Sequence, residues 1–312
     1  MLPDGYILRH PTPDDLPDVQ ALLDAAESAD LGEPCRHDMQ IAVVAATSRL
    51  DLTDGAWLVV APDGVLAGAG WLWVPRAGDT ELAADHYVHP AYREGPADDL
   101  LIDRIEERAS AILADAPAAT RLVFFCEESN VRRHRPLLTR GYAHVRGFYG
   151  MRIDLEKGRP APEWPCGIEV RTIRPEPDGR LVHAASEEAF AEHYLFGPTP
   201  FDEWHAGTVA RDDCDPSLWL VAWDGEEVAG QAWAVIGEVN AYVEDLSVRK
   251  PWRGRGLGSA LLVEAFRLLG DRGERIARLF VDAQNATGAL RVYERMGMRV
   301  ERRIEALDRA LR

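Results

Sequence analysis

The chain has 312 residues, a length that allows one large domain or two domains of ordinary size. It is 46% hydrophobic and 28% charged, which is typical of a globular chain and argues against a disordered one. The formal net charge of −17 argues against a nucleic-acid partner, because such a surface needs a basic face. A cationic amine is compatible with this charge but is not implied by it.

The cysteines and the N-terminal segment argue against further classes of protein. The cysteines lack the Cys-x-x-Cys spacing of a zinc site and the density of a disulfide framework, and they lie at Cys35, Cys126, Cys166 and Cys214. We therefore expect no metal. Residues 1–5 lack the basic and apolar pattern of a signal segment, and no apolar run approaches a membrane span. We expect a cytoplasmic protein with no membrane partner.

Two halves of the chain repeat one pattern of residues. The segments 57–60 and 65–68 have counterparts at 219–222 and 227–230. Further matched pairs are 85–88 with 245–248, and 130–141 with 285–297. The pattern predicts one unit of about 150 residues used twice, which is a typical domain size.

The elements of the first unit follow from two periodicities. Alternating apolar residues indicate strands, and apolar residues three and four positions apart indicate helices. In chain order these predict a strand over 6–9, helices over 13–26 and 36–49, a hairpin of 56–61 and 65–74, a strand over 81–88, a helix over 97–114, a strand over 121–126, a helix over 131–139 and two closing strands that end by 155.

The second unit repeats this order after a proline-rich stretch at 156–166. Its first elements are a strand over 168–173, a helix over 179–193 and an aromatic, proline-broken stretch over 194–204. A helix, a hairpin, a strand, a glycine-rich loop, a helix, a strand, a helix and closing strands follow. The order predicts an α/β (α+β) fold with a mixed sheet and helices on both faces. We expect domains at 1–157 and 167–312, joined by a linker at 158–166.

The glycine-rich loop, residues 253–259, reads Arg-Gly-Arg-Gly-Leu-Gly-Ser between a predicted strand and a predicted helix. Glycines let the backbone approach a ligand closely, and the helix start directs free N–H groups and its positive dipole end into the loop. Arg253 and Arg255 add mobile positive charge. The loop lacks the lysine of a Walker motif and the placement of a Rossmann fingerprint. It predicts a phosphate or diphosphate site, with a plain surface turn as the alternative.

Several segments in this order resemble motifs of the GCN5-related N-acetyltransferase (GNAT) family. Arg253-x-x-Gly256-x-Gly258 resembles the acyl-CoA diphosphate loop of that family, and 243–248 resembles the strand before it. The segments 281–285 and 289–298 resemble the family's next motif. The resemblance implies tandem units, each with a mixed, mostly antiparallel sheet, in which two strands splay apart and CoA passes between them. It also implies acetyl-CoA as co-substrate and no metal.

The resemblance assigns the residues that would hold acetyl-CoA. Leu246 and Val248 would bond the pantetheine arm through backbone groups, as an added strand does. Asn285 is interpreted as a pantetheine contact, as a helix cap, or as both. The full predicted set is Leu246, Ser247, Val248, Arg253, Gly254, Arg255, Gly256, Leu257, Gly258, Ser259 and Asn285.

Tyr293 stands at the tyrosine position of the family's last helix, where it would donate a proton to the departing CoA sulfur. The alternative is a tyrosine that packs in the core. Glu244 and Asp245 are adjacent on a strand, so their side chains should point to opposite faces. We interpret Glu244 as the general base, on the side of Tyr242 and Leu246, with a structural hydrogen bond as the alternative.

The acceptor would be a small-molecule or peptide amine. The stretch from 187 to 204 is interpreted as its wall or, equally, as a packing patch between helices. The candidate contacts are Glu188, His193, Phe196 and Trp204. The proposed activity is acetyl-CoA-dependent N-acetyltransfer by the second unit, and the alternative is a protein that binds acyl-CoA as a sensor or scaffold. The tandem arrangement is similar to that of mycothiol synthases, so such an activity is one option within the class.

The first unit has lost these features. Its matching loop, 92–99, retains one glycine, contains Pro96 and carries carboxylates where a diphosphate would need donors. By the repeat alignment, Ala84 replaces Glu244 and Leu137 replaces Tyr293. We expect a degenerate unit with a structural role. The sequence does not indicate an oligomeric state.

Overall fold

The computed structural model describes residues 3–32, 50–73, 81–114, 121–194, 197–211, 213–237, 241–285 and 288–311. The helix predicted over 36–49 lies outside these ranges. The chain forms two compact units, Met1–Arg146 with Ile304–Arg312, and Gly147–Arg303. These limits differ from those expected from the sequence.

The first unit is a sheet whose strands pair in chain order. The strands are β1 (Ile7–Arg9), β2 (Ala56–Val60), β3 (Leu66–Leu72), β4 (Glu81–Val88) and β5 (Arg121–Glu127). Its described helices are α1 (Leu16–Leu31), α2 (Ala97–Ala114) and α3 (Val131–Thr139). β4 and β5 pair in parallel, and the other neighbours are antiparallel. The order agrees with the prediction because each hairpin has its own turn residues.

The second unit repeats the arrangement. Its strands are β6 (Ala143–Asp154), β7 (Glu169–Thr172), β8 (Trp219–Asp224), β9 (Glu227–Ile236), β10 (Ala241–Val248) and β11 (Ile276–Asp282), and a last strand, β12 (Arg299–Ala310), ends the chain. Its described helices are α4 (Pro175–Phe190), α5 (Phe201–Gly207), α6 (Leu257–Asp271) and α7 (Ala289–Arg295). β10 and β11 pair in parallel, and the other pairs are antiparallel. The mixed, mostly antiparallel sheets confirm the predicted fold class.

The closing strands are exchanged between the units, which explains the different limits. Residues 148–154 of β6 pair with β11 in the second unit. Residues 304–310 of β12 pair with β5 in the first unit. Each half of the sequence thus supplies the closing strand of the other sheet, and the first half has one long closing strand where the sequence predicted two.

The apolar face of α6 holds the second sheet in place. Its buried residues recur every three or four positions and include Leu257, Leu261, Ala265, Phe266 and Leu269. They pack with Ala241 and Val243 of β10 in one core cluster. Burial of one large apolar side chain stabilises a fold by about 1.5–3 kcal/mol. Several such side chains hold α6 against the sheet and thereby fix the position of its N-terminal end.

Two further properties concern the described ranges alone. None of their helices is both long enough and apolar enough to span a bilayer. They also contain no cluster of three or more His, Cys, Asp or Glu side chains placed to hold a metal ion.

Candidate functional site

β10 and β11 pair at their start and then separate. The paired residues are Ala241 with Ala277 and Tyr242 with Arg278. A cleft of about 650 Å³ opens between the strands beyond this point. The separation is the one that the resemblance implies for the passage of CoA. Most of the predicted cofactor residues line the cleft, namely Leu246, Ser247, Val248, Arg253, Gly254, Gly256, Leu257, Gly258, Ser259 and Asn285.

The glycine-rich loop forms part of the cleft wall and leads into α6. Gly254 and Gly256 have φ angles of 76° and 84°, in a region that favours glycine. A Cβ atom on either residue would meet no heavy atom within 4 Å, so the space beside the loop is open. Within the described part of the chain, the amides of residues 254–259 donate to no protein acceptor. Unpaired amides at a helix N-terminus form a site for a phosphate group.

Arg253 is not the mobile charge that the sequence predicted. Arg253 Nε donates to Val248 O at 2.8 Å, and Nη2 donates to Ala189 O at 3.1 Å. The guanidinium therefore braces the end of β10 against the end of α4. Arg255 is exposed and lies outside the set of residues that line the cleft. The attraction of the loop for an anion consequently comes from its amides and from the fixed charge of Arg253.

Tyr293 lines the cleft from α7 and is 7% exposed. Burial, with a smaller contribution from the charge of Asp245, raises the pKa of its hydroxyl to about 12. The hydroxyl therefore keeps its proton at neutral pH and can donate it to a leaving thiolate. Tyr293 also packs in the core of the second unit, so the two interpretations of this residue are compatible with each other.

Glu244 is the extra residue of a β-bulge in β10. Val243 lies opposite Ala234 and Asp245 lies opposite Trp233, so Glu244 has no register partner on β9. A bulge re-aims the side chains that follow it, and such features recur beside active sites.

Because of the bulge, the side chains of β10 do not point to the faces of the sheet that the sequence predicted. Tyr242 packs in the cluster beside α4, whereas Leu246 packs against the cluster beside α6. An unbroken strand would place both on one face with Glu244, and that expectation is wrong. Glu244 is exposed in the cleft, with Oε1 3.5 Å from Arg211 Nη2. Its role as a base stays a prediction.

Asp245 belongs to a polar network that the sequence did not single out. Its Oδ2 accepts hydrogen bonds from Ser186 Oγ at 2.9 Å and from Gln231 Nε2 at 2.7 Å. Burial raises the pKa of Asp245 to about 6, against the opposing effect of hydrogen bonds from Ser247, Ser186 and Gln231. The network joins α4, β9 and β10, so no local pattern could reveal it. The signal available in the sequence was the matching acid, Asp85, in the first half.

The remaining predicted residues divide between the cleft and the core. Asn285 lines the cleft but does not cap α7, because the cap position is Gly288. His193 also lines the cleft. Glu188 does not line it and instead accepts a hydrogen bond from Arg249 at 2.8 Å.

Trp204 also lies outside the cleft lining, and it packs against Trp219 with ring centroids 5.8 Å apart. The packing interpretation therefore fits Trp204. Phe196, the last predicted acceptor contact, lies outside the described residues.

The matching loop of the first unit is closed. Gly95 N–H donates to Tyr92 O at 3.0 Å, and the Tyr6 hydroxyl is 2.9 Å from where a Cβ of Gly95 would stand. Asp98, in the first turn of α2, forms an ion pair with Arg132 at 2.6 Å. A carboxylate of the chain itself thus occupies the favourable end of the helix dipole.

The catalytic positions also differ between the units. Leu137, the counterpart of Tyr293, is fully buried. β4 pairs with β3 without a bulge, so the counterpart of Ala84 is Val243 and Glu244 has none. The sequence alignment of Ala84 with Glu244 was wrong because it could not place the bulge.

Comparison with known proteins agrees with this geometry. The model of the Acetyltransferase (GNAT) family matches residues 180–298. A protein named mycothiol acetyltransferase from Kineococcus radiotolerans is 32% identical over 299 residues, which cover 92% of this chain and 91% of that protein. The crystal structure of a GCN5-related N-acetyltransferase from Sphaerobacter thermophilus is 34% identical, with a TM-score of 0.81 over 100% of this chain and 98% of that one.

A tandem GNAT protein from the clavulanic acid biosynthesis pathway shares the fold, with a TM-score of 0.71 at 16% identity over 98% of this chain and 99% of that one. The identity and coverage of the closer relatives, together with the cleft and its loop, show that the chain belongs to the GCN5-related N-acetyltransferase (GNAT) family and is an acetyl-CoA-dependent N-acetyltransferase.

Proposed function

We propose that the second unit binds acetyl-CoA in the cleft between β10 and β11 and transfers its acetyl group to the amine of a small molecule. One observation carries this proposal. Among the described residues, the amides of 254–259 find no acceptor and Gly254 and Gly256 face open space, whereas Gly95 in the matching loop is paired and covered. In this proposal the first unit binds no acetyl-CoA and has a structural role.

The cleft residues would hold acetyl-CoA along its length. The diphosphate would accept hydrogen bonds from the amides of the loop. The pantetheine arm would lie along Leu246 and Val248 as an added strand, on the edge of β10 that faces β11 beyond the last paired residues. Asn285, at the opposite wall, would contact the same arm. This placement would bring the thioester to the part of the cleft that Tyr293 lines.

The chemistry needs a proton donor and a proton acceptor. The amine nitrogen bonds to the acetyl carbon, the carbon–sulfur bond breaks, and the sulfur takes a proton. Tyr293 supplies that proton, because its hydroxyl stays protonated at neutral pH. One of the two carboxylates at the bulge, Glu244 or Asp245, receives the proton that the amine loses.

The acceptor would be a small amine that carries a positive charge in solution. Glu244 lines the cleft and Asp245 follows it on β10, while the nearby Arg211 is shared between Glu244 and Asp213. Negative charge is therefore in excess here and favours a cation. The relative from Kineococcus radiotolerans is named a mycothiol acetyltransferase. Mycothiol without its acetyl group is therefore the first acceptor to test, ahead of peptide amines.

The test is the release of free thiol from acetyl-CoA across a panel of amines. The proposal expects turnover with a small-molecule amine and little with peptides. Thiol release that is equal with and without every amine would contradict it, and it would favour the alternative of a protein that only binds acyl-CoA.

A further inference from the structure

An aspartate stands at the same place in both sheets. Asp85 on β4 lies opposite Trp71 on β3, and Asp245 on β10 lies opposite Trp233 on β9. Burial raises the pKa of each carboxyl to about 6. The position is thus a shared feature of the repeat, and its surroundings can be compared between the units.

In the first unit the carboxylate of Asp85 has a cation from the chain itself. Arg133 Nη2 lies 3.8 Å from Asp85 Oδ1, and Arg133 is 8% exposed. Its guanidinium also lies over the ring of Tyr87, 4.4 Å from the centroid. Trp73 Nε1 donates to Asp85 Oδ2 at 3.0 Å. Both carboxylate oxygens therefore have a neighbour of suitable charge or polarity.

In the second unit the corresponding carboxylate has uncharged neighbours. Ser186 and Gln231 donate to Oδ2 of Asp245, and the Ser247 hydroxyl also acts on this carboxylate. Oδ1 is buried and has no hydrogen-bond partner of good geometry among the described residues. The titratable groups that act on Asp245 are Glu244 of its own strand and Tyr293 of α7. Neither is a cation. A buried carboxylate without a counter-ion is costly unless a ligand supplies one.

Asp245 lies behind the cleft wall that its neighbours Glu244 and Leu246 line, and its Oδ1 is closed to solvent. We propose that Asp245, and not Glu244, attracts the acceptor as an ammonium ion and receives its proton on Oδ1 through one water. The acceptor would then supply the charge that Arg133 supplies in the first unit. Glu244 is less suited, because it is exposed and Arg211, which also bonds Asp213, lies 3.5 Å from its Oε1. This inference rests on the proposed function of the cleft.

The proton transfers balance. An acceptor that enters as an ammonium ion gives one proton to Asp245, and that proton leaves to solvent. The neutral amine forms the carbon–nitrogen bond, and its next proton passes to Asp245 as the carbon–sulfur bond breaks. The sulfur takes the proton of Tyr293, and Asp245 then returns a proton to the Tyr293 oxygen. The products are the amide, the free thiol of CoA and one proton, and both side chains are restored.

The test is the pH dependence of kcat/KM for the amine at saturating acetyl-CoA, which reports groups of the enzyme before the amine binds. Because Asp245 must be ionised, kcat/KM of the wild type should fall below about pH 6. Asp245→Asn keeps an oxygen for Ser186 and Gln231 but cannot accept a proton. We expect it to lower kcat about 100-fold and to remove the acid limb, with the KM for acetyl-CoA within about twofold of the wild type.

Three further variants distinguish this role from a structural one. Glu244→Gln should lower kcat less than about tenfold and keep the limb. Ser186→Ala removes a donor that stabilises the carboxylate, so its limb should move to higher pH. This shift tests the inference even if Asp245→Asn does not fold. Asp85→Asn is the matched control in the first unit, and its profile should equal that of the wild type.

Two sets of results would overturn the inference. If Asp245→Asn keeps both its turnover and its acid limb, or if Glu244→Gln loses the limb, then the proton acceptor is Glu244 and the proposed function stands. If the wild type releases no thiol with any amine, then the proposed function fails and this inference fails with it.

Discussion

The two units use one scaffold and differ in which polar groups they leave unpaired. In the loop 92–99 the amide of Gly95 is bonded, its open side is covered by Tyr6, and Asp98 takes the helix dipole. In the second unit the amides of residues 254–259 find no acceptor among the described residues, and the space beside Gly254 and Gly256 is empty of side chains. A binding site here is a set of donors that the fold does not satisfy by itself.

The same rule holds at the bulge and at the aspartates. The first unit has a regular β4 and gives Asp85 an internal cation in Arg133. The second unit inserts Glu244 into β10 and leaves Oδ1 of Asp245 without a partner among the described residues. The first unit pairs these polar groups within the chain, so it needs no ligand to satisfy them. The second unit leaves them unpaired, which lowers local stability and leaves them available to a ligand.

The largest expected effect is on the proton donor of the second unit. Tyr293→Phe removes the hydroxyl but keeps the buried ring, so turnover should fall on the order of 100-fold while acetyl-CoA affinity stays the same. Thiol-release kinetics and calorimetry measure the two quantities. Tyr142→Phe, at a buried tyrosine of the first unit, is the control and should leave turnover unchanged. Equal losses in both variants would indicate a packing effect.

The next effect concerns the open face of the loop. Gly256→Ala places a methyl group where the diphosphate would lie and strains a left-handed residue by about 1–2 kcal/mol. Acetyl-CoA affinity should fall roughly tenfold, measured by calorimetry. Gly273→Ala carries the same strain, at φ 94° with open space around it, but lies outside the cleft lining. It should lower the melting temperature similarly and leave the affinity unchanged.

The fold and the loop could be predicted from the sequence, because periodicity and turn residues are local signals. The bulge could not, since Glu244 is extra only in relation to the register of β9. The exchanged closing strands could not either, because pairing partners distant in sequence decide them. The mobility of Arg253 was misjudged for a related reason: its guanidinium is held by carbonyl groups of β10 and α4 that the sequence does not place nearby.

A smaller effect separates the arginines at the matched loop positions. Arg253→Ala removes the brace between Val248 and Ala189, so the loop should hold acetyl-CoA several-fold more weakly. Arg93→Ala breaks an ion pair with Asp30, 2.5 Å long, and should lower the free energy of unfolding by about 1–3 kcal/mol without changing the affinity. An affinity loss in Arg93→Ala would mean that the first unit takes part in binding.

The smallest expected effect is a pH dependence of stability. Burial raises the pKa of Asp85 to about 6, above its unfolded value of about 3.9, so the folded chain binds its proton more tightly. The stabilisation of the folded chain by the protonated Asp85 is complete below about pH 4 and is lost as the pH rises to about 6. The stability of Asp85→Asn relative to the wild type should therefore increase across this range, by roughly 2 kcal/mol.

Asp178 provides a control of opposite sign. Burial alone would raise its pKa, but hydrogen bonds from Arg171 and Arg174 outweigh burial and hold the pKa well below its usual value. The stabilisation of the folded chain by the ionised Asp178 is present above about pH 4 and is lost as the pH falls. Asp178→Asn should therefore lose stability relative to the wild type as the pH rises from acid values. Urea unfolding at several pH values measures both variants.

The most direct test of the contrast between the units is a calorimetric titration of acetyl-CoA into the full chain. We predict one site per chain, weakened by Gly256→Ala and unaffected by Arg93→Ala. Two sites per chain, no heat of binding, or a single site that is insensitive to Gly256→Ala would contradict the assignment of the diphosphate to the amides of residues 254–259.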